Sequence, residues 1–358
     1  MEIAAAAIAA VVVLASVAIA TARRRSPTTQ ATAHSASPAT HHPTPSPTPI
    51  RTPPAVVPTY PGAIGALITT HGVTVRTRAS NGAPGTSAIR AGIVLPVLAR
   101  AGAYAQVMTP CERTGFVPLA STDVFPIESH PARTLAQATI VVDPGHGGTE
   151  SGATGPHGLK ESVVNLDIAK RLVGQLPGAR VFLTRTGDYN AGLNFRAAIA
   201  NGLHADAFVS VHNNADPDRP SAKPGTETYY QVASGRSKRL AGLAFEELVP
   251  ALARFKVPWV SYQGGGSTYR TNTSGLDYYG VLRHSKVPAI ITESLFITHA
   301  PEEALLAAPP ARQAIAEALG RAIDLFFTTA DPGSGFVRPL TRNEGAPFVL
   351  PSSCHDPS

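Results

Sequence analysis

The chain has 358 residues, of which 43% are hydrophobic and 15% charged, and its formal net charge is +6. This composition excludes a wholly disordered chain, because it supplies enough apolar side chains for a buried core, and the length allows two modest domains with tails. The charge is unevenly spread, since no Asp or Glu lies between Glu2 and Glu112. Such a stretch favours contact with an anionic surface, although a basic surface that only aids solubility is an equally good interpretation.

The first 60 residues fall into two segments. Residues 3–20 are uncharged, mostly Ala and Val, and about long enough to span a bilayer, while Ala18-Ile19-Ala20 offers a small-residue cleavage site. Basic residues follow this run instead of preceding it, against the usual bias. We predict a signal peptide or membrane anchor over 1–25, and therefore export. The Pro-, Thr- and Ser-rich residues 26–60 predict a disordered linker.

Residues 61–128 contain short β-like runs separated by turn signals such as Asn81-Gly82 and Pro84-Gly85. The order of VTVR, AGIVLPVLAR, YAQVM and TGFVP resembles bacterial SH3-like domains that bind cell walls. The resemblance implies a small all-β barrel that contacts peptidoglycan or anionic wall polymers. A spacer domain without a ligand is the alternative. Nucleic-acid binding is disfavoured, because the basic stretch has almost no interleaved aromatic residues.

Residues 136–330 alternate between two patterns. Apolar runs rich in Val and Ile, such as ATIVVDPG and DAFVSVH, suit strands buried on both faces, and longer helical patterns separate them. One of these helical patterns runs from PEEALLAAPP to AIDLFF. The alternation predicts an α/β domain with a mainly parallel sheet and flanking helices. Residues 331–358 form a C-terminal tail without periodicity.

Acidic and imidazole side chains stand at the ends of these strands. His146, His212 and Glu293 each end or follow a strand-like run, and Glu161 opens the first helix. Because active sites in open α/β sheets lie beyond the carboxyl ends of strands, we expect the four side chains to converge at one edge.

Two imidazoles and one carboxylate form a set that binds zinc and leaves one position open for water. His146, Glu161 and His212 fit that set, and Glu293 fits the general base that a hydrolytic zinc site requires. Each residue also has a plainer interpretation. The glycines around His146 suit a phosphate loop, a carboxylate at a helix N-terminus is favourable by itself, a lone His212 would be structural, and Glu293 could be a buried acid.

Blocks of sequence within residues 137–327 occur in the order of a known family: DPGHGG, ESVVNLDIA, LTRTGD, FRAAIAN, ADAFVSVHNNA, GTETYY and PAIITES. Together they resemble the zinc-dependent N-acetylmuramoyl-L-alanine amidases. The resemblance implies zinc bound by His146, Glu161 and His212, catalysis by Glu293, and cleavage of peptidoglycan between N-acetylmuramic acid and the L-alanine of the stem peptide. Further candidates for supporting the ligands or contacting substrate are Asp143, Asn214, Arg196 and Glu227, with Asp143 expected to accept the second ring N–H of His146.

Several alternatives stay open at this point. Ser294 and His299 stand where the family usually has Gly and Asn, and residues 255–280 form a long segment that suits either a substrate groove or a mobile flap. The protein is expected to be exported to the cell wall, periplasm or exterior, where Cys111 and Cys354 would form a disulfide or remain free thiols. An inactive wall-binding or regulatory protein and a zinc peptidase acting within the stem peptide are the competing functions.

Overall fold

The computed structural model describes residues 62–125, 132, 134–216, 219–343 and 348–358. The predicted signal peptide or anchor (1–25) and the predicted linker (26–60) lie outside these residues. Among the described residues, no helix combines the length and the apolar character needed to cross a bilayer.

Short strands with alternating buried residues build an antiparallel sheet from the first part of the described chain. It has seven strands in the order β3-β2-β6-β5-β4-β1-β7. The strands are β1 (Gly65–Thr69), β2 (Val73–Arg76), β3 (Gly85–Ile89), β4 (Val94–Ala101), β5 (Tyr104–Met108), β6 (Thr114–Pro118) and β7 (Thr122–Phe125). Val73 and Val75 point inward while Thr74 between them is exposed, as the period of two in a strand requires. The SH3-like assignment of this sheet stays a prediction.

The rest of the described chain alternates strands and helices. The strands are β8 (Thr139–Pro144), β9 (Arg180–Leu183), β10 (Ala207–Asn214), β11 (Arg219–Ser221), β12 (Glu227–Tyr230), β13 (Trp259–Ser261), β14 (Gly266–Thr268), β15 (Arg270–Thr271), β16 (Ala289–Phe296) and β17 (Leu340–Thr341). The helices are α1 (Glu161–Val173), α2 (Leu193–Gly202), α3 (Gly235–Ala253), α4 (Gly280–His284), α5 (Ala300–Ala307) and α6 (Pro309–Thr328).

The central sheet has six strands in the order β14-β12-β16-β10-β8-β9. Strands β9, β8, β10 and β16 run parallel, whereas β12 is antiparallel to β16 and carries β14 at the edge. This mixed sheet with flanking helices confirms the predicted α/β fold. The segment 255–280, for which the sequence left a groove or a flap open, supplies β13, β14 and β15, and β14 extends the central sheet.

Successive residues of the central strands face two different cores. Ile140 and Val142 pack with apolar residues of α1, α3 and α6, whereas Val141, between them, belongs to a core shared with α2 and α4. That second core also contains residues of the first sheet, including Leu67 and Val107. The small antiparallel sheet therefore buries part of its apolar surface against the α/β part.

The sequence predicted one helix from PEEALLAAPP to AIDLFF, and this prediction is wrong. The structure has two helices, α5 and α6, separated at Ala308, whose extended backbone interrupts the helical turn. Pro309 and Pro310 open α6, because a proline lacks the N–H of a continuing helix but is tolerated in the first turn.

The C-terminal tail is fastened to both parts of the structure. Strand β17 pairs with β15, and a disulfide joins Cys354 to Cys111, with their Cα atoms 5.9 Å apart. Asp356 accepts hydrogen bonds from the backbone N–H of Cys111 (2.8 Å) and from Ser87 Oγ (2.6 Å). Of the two states that the sequence left open for the cysteines, the structure has the disulfide.

The variant Cys354→Ser tests this attachment. The disulfide encloses a sequence separation of 243 residues, so we expect its loss to lower the free energy of unfolding by about 2–5 kcal/mol. Urea denaturation followed by tryptophan fluorescence measures the change. The double variant Cys111→Ser/Cys354→Ser should lose the same amount as the single one, and the exposed neighbour Ser353→Ala should lose none. Equal stability of the wild-type protein under oxidising and reducing conditions would contradict the expectation.

Candidate functional site

Three candidate metal ligands meet at the carboxyl edge of the central sheet. His146 follows β8, Glu161 is the first residue of α1, and His212 lies near the end of β10. His146 Nε2 is 3.2 Å from Glu161 Oε2, and His212 Nδ1 is 3.0 Å from Glu161 Oε1. One nitrogen or oxygen from each residue lies within 4.8 Å of the other two. The structure therefore brings these three residues together as the sequence predicted.

The approach of the two imidazoles depends on glycines in the loop after β8. A Cβ atom on Gly145 would lie 2.1 Å from the His212 ring, and one on Gly152 would lie 2.5 Å from Glu161 Oε2. Gly152 also has a φ of +67°, and His146 itself has a φ of 61°. Since L-residues with side chains rarely adopt a positive φ, the loop accepts local backbone strain at the residue that carries the imidazole.

The Glu161 carboxylate is buried and has hydrogen-bond donors on both oxygens. Oε2 accepts from the N–H of Ala153 (2.9 Å), and Oε1 accepts from the N–H of Asn213 (3.1 Å) and from Asn165 Nδ2 (3.1 Å). Although burial opposes ionisation, the hydrogen bonds and charges of His146 and His212 hold the pKa of Glu161 well below 4.5. The carboxylate is therefore ionised, as a metal ligand must be.

His212 favours its neutral form. Burial lowers the pKa of this imidazole below 6.5, although Glu161 acts in the opposite direction. Neutral imidazole is the form that coordinates a metal ion, because the lone pair of the ring nitrogen is then available. Two imidazoles and one carboxylate, without cysteine, match the catalytic zinc sites that keep one position open. The donor set therefore fits a zinc ion.

Glu293 lies beside this cluster on β16. It is paired with His212 of β10 on one side and with Glu227 of β12 on the other. Glu293 Oε2 is buried, and no described residue hydrogen-bonds to it. Burial, followed by the negative charges of Glu161 and Glu227, raises the pKa of Glu293 well above 4.5. An acid that gains a proton this readily suits proton transfer.

A cavity of about 450 Å³ gives access to the site. His146, His212 and Glu293 line it, together with Glu150, Tyr279 and Phe348. Phe348 belongs to the C-terminal tail, which had no predicted structure or function. A distant aromatic residue that reaches the cavity through chain folding leaves no local sequence signal.

Asp143 and Arg196 support the site in a way that differs from the sequence expectation. Asp143 does not bind the ring of His146. Its oxygens accept from Thr184 Oγ1 (2.5 Å), Ser210 Oγ (2.7 Å) and Arg196 Nη1 (2.5 Å). Buried Asp143 therefore pairs with the nearest buried cation, because an isolated charge there would be costly.

Arg196, which pairs with Asp143, also forms hydrogen bonds with the loop that carries His146. Its guanidinium donates to the carbonyl oxygens of Pro144 (2.7 Å), His146 (2.8 Å) and Ala191 (2.7 Å). These bonds fix the backbone on which the imidazole stands. Arg196 thus positions the loop, and its polar atoms are occupied by the protein itself.

The other two supporting candidates lie next to Glu293, away from the ligand cluster. Asn214 Nδ2 donates to Glu227 Oε2 (2.9 Å), and the same oxygen accepts from Tyr229 Oη. Arg270 Nη2 lies 3.6 Å from this oxygen. Arg270, the first residue of β15 within the segment 255–280, was not among the predicted site residues, because nothing in its local sequence pattern indicates a buried cation.

The two departures from the family pattern leave the cluster intact. Ser294 is buried, and its carbonyl accepts from Thr226 Oγ1 (2.9 Å). His299 precedes α5, and its Nδ1 lies 3.2 Å from Glu302 Oε1. Neither residue lines the cavity of the cluster.

Comparison with known proteins places this site in a family. A family model described as N-acetylmuramoyl-L-alanine amidase matches residues 140–324, which is more than half of the chain. The chain belongs to the N-acetylmuramoyl-L-alanine amidase family. The amidase segment contains the three clustered residues and Glu293.

Curated relatives of this amidase segment include three bacterial proteins. N-acetylmuramoyl-L-alanine amidase LytC of Bacillus subtilis (strain 168) is 36% identical over 196 residues, which cover 54% of this chain and 35% of LytC. Uncharacterized protein YqiI of the same strain is 31% identical over 55% of this chain and 88% of its own length. N-acetylmuramoyl-L-alanine amidase AmiC of Neisseria meningitidis serogroup B is 28% identical over 55% of each chain.

The match spans about a third of LytC and about half of AmiC. Among solved structures, N-acetylmuramoyl-L-alanine amidase AmiC2 of Nostoc punctiforme is 32% identical. The match covers 54% of this chain and 97% of AmiC2, with a TM-score of 0.44.

The raised pKa of Glu293 predicts a pH-dependent stability of the metal-free amidase. Because the folded-state pKa lies above 4.5, the folded protein retains a proton that the unfolded chain releases, and stability is lost as the pH rises through this range. In chelator, Glu293→Gln should therefore unfold at a higher temperature than the wild type at pH 7, and this difference should shrink at pH 4. Calorimetry at the two pH values measures it.

Zinc should reduce the difference at pH 7, because a cation favours the ionised carboxylate. The control variant Glu246→Gln on α3, outside the cluster and the cavity, should show no comparable pH dependence. A stability difference between Glu293→Gln and the wild type that is equal at both pH values would contradict the prediction.

Proposed function

We propose that the chain is a zinc-dependent N-acetylmuramoyl-L-alanine amidase that hydrolyses the amide between N-acetylmuramic acid and the L-alanine of peptidoglycan stem peptides. The observation that carries this proposal is the convergence of His146, Glu161 and His212 beside Glu293 at one cavity within the amidase segment. Family membership supplies the reaction type. Two imidazoles and one carboxylate are donors typical of a catalytic zinc site, which supports zinc as the metal.

His146, Glu161 and His212 would hold the zinc ion. When bound, zinc supplies a Lewis acid and activates water near neutral pH. The backbone N–H groups of Ala153 and Asn213 orient the Glu161 carboxylate, so that its oxygens stay directed at the two imidazoles. Because these contacts already orient the ligand side chains, less conformational entropy is lost when the ion binds.

Glu293 would carry the proton in the reaction. Its carboxylate takes a proton from the attacking water as the water oxygen bonds to the amide carbonyl carbon. It then donates that proton to the nitrogen as the carbon–nitrogen bond breaks. The free Oε2 suits this role, since no described residue competes for the proton.

Export to an oxidising compartment is part of the proposal. The disulfide between Cys111 and Cys354 supports it, because disulfides persist outside the reducing cytosol. The predicted signal peptide or anchor at 1–25 would provide the route, and peptidoglycan would be met there. The basic, acid-free stretch before Glu112 would add attraction to anionic wall polymers.

Product analysis tests the reaction. The full chain is incubated with purified peptidoglycan, with and without a zinc chelator, and the released fragments are identified by mass spectrometry. Free stem peptides that begin with L-alanine, lost with chelator and restored by zinc, are the expected result. Fragments cut inside the peptide would assign a peptidase instead. No release despite bound zinc would assign a binding protein.

Two substitutions separate metal binding from proton transfer. Glu293→Gln should retain zinc, measured by elemental analysis, while turnover falls by about 10²–10⁴-fold through loss of the general base. His212→Ala should lose both zinc and turnover, because it removes a ligand. Glu246→Gln, outside the site, should keep both. Full activity of Glu293→Gln would show that another group moves the proton.

A further inference from the structure

A second cavity lies directly beside the catalytic one. It has a volume of about 380 Å³, and its lining includes Glu227, Tyr229, Tyr262, Arg270 and Arg338. The rings of Tyr229 and Tyr279 are 4.9 Å apart, and Tyr279 lines the catalytic cavity. Glu227 is also the register partner of Glu293 in the neighbouring strand. The Tyr229–Tyr279 pair is thus shared between the walls of the two cavities.

Arg270 is a buried cation with an unused donor. Its side chain is only 8% exposed, and the guanidinium lies over the Tyr229 ring at 4.5 Å. Nη2 donates to Tyr229 Oη, yet no described residue accepts a hydrogen bond from Nε. A buried donor without an acceptor is unfavourable. Because Arg270 also lines this cavity, a ligand oxygen bound here would lie near its guanidinium.

The charge around this cavity is positive. Arg338 lines it, and the Arg342 guanidinium lies 5.9 Å from the ring of Tyr262, which also lines it. Glu227 is the acidic residue of the lining, and its Oε2 already accepts from Asn214 and Tyr229. The surplus arginine charge favours an anionic ligand, and a guanidinium fork matches the geometry of a carboxylate.

Part of the cavity wall comes from outside the amidase segment. Ser267 donates its N–H to the carbonyl of Gly335 (2.8 Å), and Val337 donates back to Ser267 (3.0 Å). Together with the β15–β17 pairing, these bonds hold Val337, Arg338 and Leu340 against the cavity. These tail residues lie beyond residue 324, where the family match ends. This part of the wall is therefore contributed by the C-terminal tail.

We infer that this cavity binds a free carboxylate of the stem peptide, on the L-alanine side of the amide to be cut. The inference rests on the proposed function. Neighbouring strands are about 4.8 Å apart, so Glu227 and Gly266 lie roughly 5–10 Å from Glu293 across the sheet edge. An extended peptide advances about 3.3 Å per residue, which brings the second or third residue of the stem peptide to this cavity. The γ-linked second residue keeps a free α-carboxylate, which is the anion available there, whereas the carboxylate of a third-residue lysine is free only where the peptide ends.

Binding of synthetic product peptides tests this without requiring turnover. The probes are L-alanyl-γ-D-glutamyl-L-lysine with both carboxylates free, with the second residue amidated, and with the third residue amidated. Isothermal titration calorimetry on the zinc-loaded full chain gives each Kd. Amidation of the second residue should weaken binding by at least about tenfold, since a charge-assisted hydrogen bond is lost, whereas amidation of the third residue should have a smaller effect.

Three variants test whether the weaker binding of the amidated peptide depends on residues of this cavity. Arg338 is exposed, so Arg338→Ala should leave the fold intact. It should weaken binding of the acid peptide and leave binding of the amidated peptide unchanged. Arg270→Gln should remove most of the difference between the two. Arg321→Ala, an exposed residue that pairs with Glu247 away from either cavity, is the matched control and should retain the difference.

Equal affinity of the wild type for acid and amidated peptides would overturn the inference, as would an equal loss for both peptides in Arg338→Ala. Tighter binding of inorganic phosphate than of the acid peptide would also overturn it and would indicate a wall-polymer phosphate instead. Amidase turnover without carboxylate dependence refutes the carboxylate subsite alone. Carboxylate-dependent binding without turnover refutes the proposed reaction and leaves the subsite standing.

Discussion

The imidazole of His146, in the loop after β8, and that of His212, near the end of β10, meet because both reach the same buried carboxylate, that of Glu161. The carboxylate also accepts hydrogen bonds from the backbone N–H groups of Ala153 and Asn213, so it joins the loop after β8, the start of α1 and the end of β10. An ionised carboxylate without such partners would be costly in a buried position. The contacts therefore depend on one another, and the ligand cluster forms only when all three segments are in place.

A second buried pair supports the first. Asp143 and Arg196 lie beneath the loop of His146, and Arg196 belongs to α2. The N-terminus of α2 is in turn held by Glu112 of the small antiparallel part, whose Oε1 accepts from the N–H of Asn194 (2.7 Å). Together with the shared apolar core, this contact links the small sheet to the position of a loop that carries an imidazole. The small sheet thus contributes to the stability of the α/β part beyond any binding role.

The two neighbouring cavities differ in charge. Asp143, Glu150 and Glu293 line the first one beside the Glu161 carboxylate and suit it to a cation, whereas Arg270 and Arg338 make the second one positive. The stem peptide that we propose as the substrate would offer matching groups in the same order, with an amide carbonyl for a metal ion and a carboxylate further along. The C-terminal tail contributes to both, through Phe348 in the first cavity and Arg338 in the second.

The sequence by itself determined the α/β alternation, the strand-end positions of His146, His212 and Glu293, and the helix start at Glu161, because each depends on local periodicity and turn residues. The sequence predicted one helix after His299, whereas a second helix begins at Pro309. It also predicted the wrong hydrogen-bond partner for Asp143. Only the tertiary structure decided that Asp143 binds Arg196, that Cys111 joins Cys354, and that Arg270 and the tail enclose a second cavity. These features bring together residues that are distant in the chain, and their contacts follow from the packing of whole elements, which no local pattern records.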